Sequence, residues 1–361
     1  MSGLVGEQAT PGAVEVPVFY SDAYVLGGHA FDTTRKARWV AESLRERPIA
    51  GIVLPEPRSL DEEDLIAVHD PDYVAAVRTG EPPDLAESNG FSWDPGVWPM
   101  ALASNGGAVA AALAALGGRT SGSLSSGLHH ARRSLGAGFC TFNGLALAAR
   151  RAIGAGARGV LILDLDAHCG GGTAELLADE PAVAAVDVAV DAFDRYRERG
   201  RFTLDVVREA AAYLPTLRRR LDALEPRGFD LVLYNAGMDP FERCHVGGRA
   251  GMTRALLAER EEMVFAWCRA QHLPVAFVLA GGYTKRLVPA GRAGGPAPAH
   301  HRGRGTSRDW LSALSARGVN WARRGARDGW PTGSCGGSRR CGSRCRAQQL
   351  SHLGLPQPTE S

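Results

Sequence analysis

The chain has 361 residues, of which 45% are hydrophobic and 22% are charged. These shares are close to the globular average, so they exclude a wholly disordered chain and a collagen-like fibre. The first residues lack the basic start and apolar run of a secretory signal, and no uninterrupted apolar run reaches eighteen residues. The four cysteines before residue 285 show no paired spacing. We therefore expect a cytoplasmic protein with reduced thiols and no membrane partner.

Charge is distributed unevenly along the chain. Residues 285–361 contain fourteen Lys and Arg against three acids, so this segment carries +11 while the rest carries −9. The segment is rich in Arg, Gly, Ser and Pro and has little apolar periodicity, which predicts a basic, low-complexity, disordered tail. Its arginines lack aromatic interleaving, which argues against a nucleic-acid-binding arm. Residues 1–15 are also predicted to be disordered, which leaves residues 16–284 as a single folded domain.

Apolar patterns predict the elements in chain order. A short strand is expected at 16–20, a helix at 33–47, and two short helices within 61–77 that Asp61 and Asp70 cap. An Ala-rich, almost wholly apolar helix at 101–116 should be buried. Apolar runs at 159–164, 229–235 and 275–280 read as strands buried on both faces, with helical patterns between and around them at 173–178, 203–224 and 253–271. This alternation predicts an open α/β sheet whose functional groups gather at the carboxyl ends of the strands.

The strongest local signal follows the strand at 159–164. Asp164, Asp166 and His168 occupy alternate positions just before a run of glycines and a helix. In an extended chain alternate side chains point the same way, so these three groups should face one side of the strand end. A mixed set of histidine and carboxylates is typical of a zinc site that acidifies a water molecule. The alternative is structural, with Asp166 capping the turn and His168 bonding to the backbone.

Three further segments carry polar side chains at strand ends or in loops. Asp239 follows the strand at 229–235 and would complete the ligand set, although in isolation it fits an ordinary turn residue. His129 and His130 are neighbours in a Ser- and Gly-rich run, and a hydrolytic zinc site needs such a base. Tyr283 follows two glycines after the last strand, where its hydroxyl could donate to an oxyanion. The alternative for Tyr283 is a core tyrosine.

These four segments, in this order, resemble the zinc-dependent histone deacetylase family, which includes bacterial acetylpolyamine amidohydrolases and acetoin-utilisation proteins. The resemblance spans about residues 16–284. Two further segments agree with it: VHDPDYV at 68–74 and GFCTFN at 138–143. It implies an arginase/deacetylase-like three-layer α/β fold with a mostly parallel central sheet.

The resemblance also implies the activity and the cofactor. The expected enzyme is a zinc-dependent amidohydrolase, a hydrolase of linear amides, that removes acetyl or other acyl groups by means of a metal-activated water. Its partners would be an acetylated small amine, such as an acetylpolyamine, or an acetyl-lysine peptide. One Zn²⁺ per chain, with Fe²⁺ as the alternative ion, would be bound by Asp166, His168 and Asp239.

Catalytic roles are carried over residue by residue. The resemblance implies that His130 is the general base and that His129 acts electrostatically or donates a proton. Asp164 would orient His129 and contribute to a site for a monovalent cation such as K⁺. Tyr283 would polarise the scissile carbonyl. A narrow acyl tunnel would be lined by Gly138 and Phe139.

Two departures from the family pattern carry expectations of their own. The family has Asp or Asn three positions after the zinc-binding histidine, where it bonds the second active-site histidine, but this chain has Gly171. We therefore expect His130 to lack its orienting partner. The segment after Tyr283 does not resemble the family either. Together these features support an alternative in which the chain is a non-catalytic metal- or acyl-binding relative with a damaged C-terminus.

A second alternative is an arginase- or agmatinase-like hydrolase with two manganese ions. Such a site needs a second carboxylate soon after the histidine of the strand-end motif. Here His168 is followed by Cys169 and Gly170. The sequence therefore favours a single metal ion.

Overall fold

A single parallel sheet organises the chain in the computed structural model, which describes residues 15–28, 32–118 and 120–283, without the side chains of 32–34. Within these ranges eight strands follow the order β2-β1-β3-β8-β7-β4-β5-β6, and all neighbouring strands are parallel. The predicted α/β class and parallel sheet are confirmed. The strands are β1 Val16–Phe19, β2 Ile52–Val53, β3 Thr120–Ser123, β4 Val160–Asp164, β5 Val183–Ala189, β6 Phe202–Val206, β7 Leu231–Gly237 and β8 Val275–Ala280.

Helices connect the strands and cover the sheet. The described helices are α1 Asp32–Glu46, α2 Glu62–Ile66, α3 Pro71–Thr79, α4 Pro83–Ala86, α5 Val97–Leu116, α6 Gly144–Gly154, α7 Gly171–Leu177, α8 Ala210–Asp222 and α9 Arg254–Ala270. Short 3₁₀ helices lie at Asp22–Val25 and Pro226–Gly228. The predicted disordered segments 1–15 and 285–361 fall outside the described residues, apart from residue 15.

The alternation of side chains along each strand produces three layers. In β4, Leu161 and Leu163 pack in a core with apolar residues of α1, α8 and α9. Val160 and Ile162 point to the opposite face and pack with α2, α3, α5, α6 and α7. Both faces of the strand are therefore dry, which explains why it reads as an uninterrupted apolar run. Complete burial of one such side chain stabilises the fold by about 1.5–3 kcal/mol.

Asp61 and Asp70, the two residues predicted to cap helices, occupy the N-cap positions of α2 and α3. The Asp61 carboxylate accepts a hydrogen bond from the Asp64 backbone N–H at 3.0 Å, and the Asp64 carboxylate accepts one from the Asp61 N–H at 3.2 Å. This reciprocal capping confirms the prediction for α2. Asp70 occupies the predicted N-cap position of α3, with Pro71 at the first helical position, but within the described residues its side chain makes no capping hydrogen bond. Pro71, whose missing N–H needs no partner, is well suited to this position.

The predicted helix at 203–224 is wrong in its first part. Residues 202–206 form the edge strand β6, which pairs with β5 so that Phe202 lies opposite Ala185. The helix begins only at Ala210. In β6 only Phe202 is buried and the other four residues are partly exposed. An edge strand of this kind lacks the continuous apolar run that marks the central strands.

The predicted burial of the Ala-rich helix is confirmed. Helix α5 packs mainly against α6 and β3, and 56% of its most apolar window is buried. By length and composition it is also the one described helix that could cross a bilayer, a test that buried core helices pass equally well.

Candidate active site

Five adjacent strands bring the predicted site residues to one edge of the sheet. The strands β3, β8, β7, β4 and β5 lie side by side and are parallel, so their carboxyl ends meet at the same edge. The predicted polar segments follow β3, β8, β7 and β4. Open α/β sheets bind their ligands at this edge, because the loops there converge on one crevice.

Asp166, His168 and Asp239 form a compact group that could hold a metal ion. One ligand atom from each residue lies within 4.8 Å of the other two, and all three residues are buried. His168 Nδ1 lies 3.1 Å from Asp166 Oδ1 and 3.2 Å from Asp239 Oδ2. Two carboxylate oxygens and one imidazole nitrogen suit Zn²⁺.

The electrostatics of this group favour a cation. Asp239 Oδ2 is buried and accepts no hydrogen bond from any described residue. Burial and the nearby Asp166 carboxylate raise the pKa of Asp239 to about 6. Two carboxylates this close and this deeply buried are costly without a compensating positive charge. The residues present therefore fit a divalent metal ion.

Asp164 lies outside the metal group and contacts a histidine instead, as predicted. Its Oδ2 atom accepts a hydrogen bond from His129 Nδ1 at 2.7 Å. Its Oδ1 atom accepts one from Asn235 Nδ2 at 2.8 Å and a weaker one from the Asp166 N–H at 3.3 Å. Asp164 is thus fixed from two sides and determines the orientation of the His129 ring.

His129 and His130 form a coupled pair over the metal group. Their Nε2 atoms lie 3.1 Å apart. Burial opposes the charged form of His129, but the Asp164 and Asp166 carboxylates outweigh it and raise the pKa of His129 to about 10. Burial and the charge on His129 lower the pKa of His130 to about 4. At neutral pH the pair is therefore a cation at His129 beside a neutral imidazole at His130.

The expectation that His130 lacks an orienting partner is wrong. His130 Nδ1 lies 2.8 Å from Oδ2 of Asp194, a residue in the loop after β5. Asp194 also accepts a hydrogen bond from the Gly172 N–H at 3.3 Å and pairs with the Arg132 guanidinium. A carboxylate therefore contacts His130 after all, although it comes from a different strand end than the one where the family carries it.

Tyr283, Gly138 and Phe139 line one small cavity, whose lining among the described residues does not include the metal group or the paired histidines. Gly138 itself lies against the His130 ring, which an added Cβ would overlap. The cavity has a volume of about 90 Å³, and Lys36 and Cys140 also face it. The Phe139 and Tyr283 ring centroids lie 6.1 Å apart. The structure thus brings these three predicted residues together at a site large enough for a small group.

Phe193 and Lys36 belong to the site but were missed in the sequence. The Phe193 side chain is 50% exposed, and its ring lies 5.0 Å from that of His130 and 5.9 Å from that of His168. Lys36 comes from α1 and donates a hydrogen bond to the Gly281 carbonyl oxygen. Burial lowers the pKa of Lys36 to about 8, although the Asp239 and Asp166 carboxylates act in the opposite direction. No spacing pattern in the sequence links either residue to the strand ends.

Gly281 is required by the close packing of β8 on the metal group. Its φ is +48°, and an added Cβ would overlap the Asp239 carboxylate. A side chain here would therefore be strained in its backbone and would displace a metal ligand. This explains the glycines that precede Tyr283.

The two additional family-like segments support the histidine loop. His69 Nε2 accepts a hydrogen bond from the Asn143 N–H at 3.0 Å, which links the segments at 68–74 and 138–143. The Asn143 side-chain amide donates to the carbonyl oxygens of His129 at 3.2 Å and of Ala131 at 3.1 Å. Asn143 and the segment at 68–74 therefore support the paired histidines, whereas Gly138 and Phe139 of the other segment line the cavity.

Comparison with known proteins agrees with this geometry. The family model described as Histone deacetylase domain matches residues 29–293. An uncharacterized protein of Picosynechococcus sp. is 36% identical over 250 residues, 66% of this chain and 82% of its own. Histone deacetylase 2 of Arabidopsis thaliana is 27% identical over 296 residues, 75% of each chain. The crystal structure of an acetylpolyamine aminohydrolase from Burkholderia pseudomallei matches with a TM-score of 0.60 at 21% identity, over 74% of this chain and 94% of its own. That likeness confirms the predicted arginase/deacetylase-like fold. The chain belongs to the histone deacetylase family.

Proposed function

We propose that this protein hydrolyses the amide bond of acetylated amines, with one Zn²⁺ held by Asp166, His168 and Asp239. The observation that carries the proposal is the convergence of the three ligand atoms within 4.8 Å. A coupled histidine pair adjoins that group, and each imidazole contacts a carboxylate through Nδ1. Amide hydrolysis requires a Lewis acid and a base at one point, and this edge of the sheet supplies both.

Each described side chain has a distinct task in this proposal. A bound Zn²⁺ would supply Lewis-acid chemistry, polarising the carbonyl and lowering the pKa of a water molecule. His130, neutral at pH 7, accepts the proton of the attacking water, and cationic His129 stabilises the negative charge that develops nearby. Tyr283 donates its hydroxyl proton in a hydrogen bond to the carbonyl oxygen. Phe139 and Phe193 are apolar walls that exclude bulk water, which strengthens these electrostatic interactions.

The substrate would be an acetylated polyamine or an acetyl-lysine side chain. The relatives include a histone deacetylase and an acetylpolyamine aminohydrolase, whose names correspond to these two classes of amine. The net charge of −9 outside residues 285–361 favours a cationic substrate by long-range attraction.

The supporting ions and the compartment are part of the same proposal. Asp164 would contribute to a site for a monovalent cation such as K⁺, and Fe²⁺ would be the alternative to zinc. The four described cysteines are free and buried, which is consistent with a reducing, cytoplasmic setting.

Neither alternative from the sequence is favoured by a structural observation. The non-catalytic alternative was based on Gly171 and on the segment after Tyr283. Asp194 supplies the partner that His130 was expected to lack, and the segment lies outside the described residues. For a two-metal hydrolase, the described residues contain one group of three His, Cys, Asp or Glu ligands close enough for a metal ion. A single-metal amidohydrolase is therefore the function that we propose.

The direct test measures zinc content and acetate release together. The purified full chain is loaded with zinc and assayed with N-acetylputrescine and with an acetyl-lysine peptide. We expect about one zinc per chain and turnover of at least one substrate, with losses of roughly 10²-fold or more for His130→Ala and Tyr283→Phe. His272→Ala is the matched control, because His272 is exposed in the turn that precedes β8, at the opposite end of that strand from Tyr283. A zinc-loaded, folded chain that releases no acetate would reject the proposal.

A further inference from the structure

Gly171 and Asp194 compete for the same space. A Cβ added to Gly171 would overlap the Oδ1 atom and the carbonyl oxygen of Asp194 and would lie 2.6 Å from its Cγ atom. Real Cβ atoms do not approach other heavy atoms this closely. The carboxylate and the carbonyl oxygen of Asp194 therefore occupy the space where a side chain at position 171 would begin, so a side chain at 171 requires removal of the carboxylate and movement of the loop.

The contacts of Asp194 show what it does in that space. Its side chain is only 5% exposed, and Oδ2 lies 2.8 Å from His130 Nδ1. Oδ2 also accepts from the Gly172 N–H at 3.3 Å, while Oδ1 pairs with Arg132. Both carboxylate oxygens are thus engaged, and the arginine compensates the buried charge. The Asp194 carboxylate is therefore held in place as the hydrogen-bond acceptor of His130 Nδ1.

The backbone of the loop after β5 is shaped for this contact. Asp194 adopts a φ of +58°, a left-handed conformation that a non-glycine residue rarely takes, although Asp tolerates it better than most. The Cys169 N–H donates to the Phe193 carbonyl oxygen at 3.0 Å, which ties the loop to the strand end that carries His168. Phe193 and Asp194 consequently contact His130 from two directions, one with a ring and one with a carboxylate.

We propose that Asp194 is the positioning residue for His130 and that it replaces, from another strand end, the side chain that the family carries at the position of Gly171. The inference rests on the proposed function, because it concerns the base of that reaction. Because Asp194 can only accept at this Nδ1, the His130 ring must carry its proton there and present an unprotonated Nε2 atom toward the site. Loss of the carboxylate leaves the ring and its tautomer unfixed.

The test relocates the carboxylate rather than merely deleting it. Five variants of the full chain are compared: Asp194→Ala, Asp194→Asn, Asp194→Gly, Gly171→Asp and the double variant Gly171→Asp with Asp194→Gly. Glycine at 194 tolerates the positive φ and lets the loop move, which is needed because the carbonyl oxygen of residue 194 also approaches position 171. Glu175→Gln is the matched control, since Glu175 is the other carboxylate that pairs with Arg132, at 2.7 Å.

The expected results distinguish positioning from packing. Asp194→Ala should lower kcat by about 10²-fold with KM within about 3-fold of the wild type, because substrate binding does not involve this residue. The kcat of Asp194→Asn should lie between those of the wild type and Asp194→Ala, because its amide oxygen can still accept a hydrogen bond from His130 Nδ1. Gly171→Asp alone should be impaired by overlap, whereas the double variant should recover at least about 10-fold over Asp194→Gly. Glu175→Gln should resemble the wild type.

Two outcomes would overturn the inference. One is an Asp194→Ala variant within about 3-fold of wild-type kcat, and the other is a folded double variant that is no more active than Asp194→Gly. If the double variant does not fold, equal kcat values for Asp194→Asn and Asp194→Ala would overturn it instead. If the wild type releases no acetate at all, the proposed function fails. The role of Asp194 is then tested separately by the histidine ¹H–¹⁵N spectrum. The His130 Nδ1–H signal must then be present in the wild type and lost in Asp194→Ala, and its persistence would reject the role of Asp194.

Discussion

His129 and His130 face each other through Nε2 atoms only 3.1 Å apart, while each turns Nδ1 toward a carboxylate. Both Nδ1 atoms therefore carry a proton. Two neutral rings would oppose two lone pairs at this distance, and two cations would oppose two N–H groups. The pair consequently holds one additional proton, and the position of that proton depends on the carboxylates around it.

Asp164→Asn should shift this proton balance. The amide can still accept from His129 Nδ1, but the negative charge that helps raise the pKa of His129 to about 10 is lost. A raised pKa keeps His129 charged at every pH below it, so lowering that pKa moves the alkaline limb of the kcat/KM profile to lower pH. We expect kcat/KM at pH 7 to fall by roughly 10²–10⁴-fold. The measurement is a pH–rate profile with the acetylated substrate.

The matched control for this substitution is Asp230→Asn, which removes a partly exposed carboxylate that pairs with Arg158 at 2.9 Å on the surface. It should leave the profile unchanged. An alkaline limb that stays in place in Asp164→Asn would mean that the Asp164 charge does not control His129.

Zinc binding should depend on Asp239 specifically. Asp239→Asn removes one of the two anionic ligands, so zinc content should fall from about one ion per chain to well below that, and added zinc should no longer raise Tm. For the wild type, free zinc at about 100 times Kd stabilises the fold by about 2.7 kcal/mol. Metal analysis after gel filtration and thermal unfolding with and without zinc measure both effects.

Asp187→Asn provides a buried-acid control for the zinc experiment. Burial, together with the nearby Asp164 charge, raises the pKa of Asp187 well above its usual value, and an amide is close to isosteric with its carboxyl group. Zinc content should therefore be retained. Equal loss in the two variants would show that general damage to the core, and not a missing ligand, releases the metal.

The site residues that the sequence predicts directly follow the ends of strands. Asp166, His168 and Asp239 follow strands that are buried on both faces, and such strands are visible as apolar runs. Once their parallel arrangement is inferred, the meeting of these residues at one edge follows from the geometry of the sheet. The grouping of these three residues was therefore predictable, because each of them follows a strong local pattern.

The missed residues lack such a pattern. Asp194 lies in an irregular loop, and its relation to Gly171 is a matter of shared space that only coordinates show. Lys36 reaches the Gly281 carbonyl across 245 positions of sequence. Strand β3 was missed because Thr120–Ser123 has no large apolar side chain, and at Gly122 a Cβ would overlap the Phe277 ring of the neighbouring strand. In each case a long-range contact replaces local propensity.

His69 should make the fold sensitive to acid. Its Nδ1 donates to the Arg132 carbonyl oxygen at 2.8 Å and its Nε2 accepts from the Asn143 N–H, so the folded ring must be neutral. Burial lowers its pKa from 6.5 to about 4. Between these values the unfolded chain binds more protons, so the contribution of His69 is complete above pH 6.5 and is lost as the pH falls toward 4. The loss amounts to about 3 kcal/mol.

Urea unfolding between pH 7 and pH 4 measures this effect against His69→Asn, whose amide can replace the Nδ1 donor. The variant should be less stable at pH 7 by about 1–3 kcal/mol, since the Asn143 N–H loses its acceptor. It should nevertheless lose less stability than the wild type on acidification. Parallel pH dependences in the two proteins would exclude His69 as a source of the acid sensitivity.

The last prediction concerns the buried ion pair between Arg260 and Glu261. Arg260 and Glu261 are almost wholly buried, and the Arg260 Nε atom donates to Glu261 Oε1 at 3.1 Å. Arg260 Nη1 also donates to the Leu165 carbonyl oxygen at 3.0 Å, next to the ligand Asp166. Glu261→Ala leaves a guanidinium buried without its counterion, which should cost about 3–5 kcal/mol in the free energy of unfolding. Replacing both residues, as Arg260→Met with Glu261→Leu, should restore most of that stability because no unpaired charge remains. Tyr234 also donates a hydrogen bond to Glu261 Oε2 at 2.5 Å. If the double variant is as unstable as Glu261→Ala, the instability comes from lost hydrogen bonds, the Tyr234–Glu261 bond and in the double variant also the Arg260–Leu165 bond, and not from the uncompensated charge.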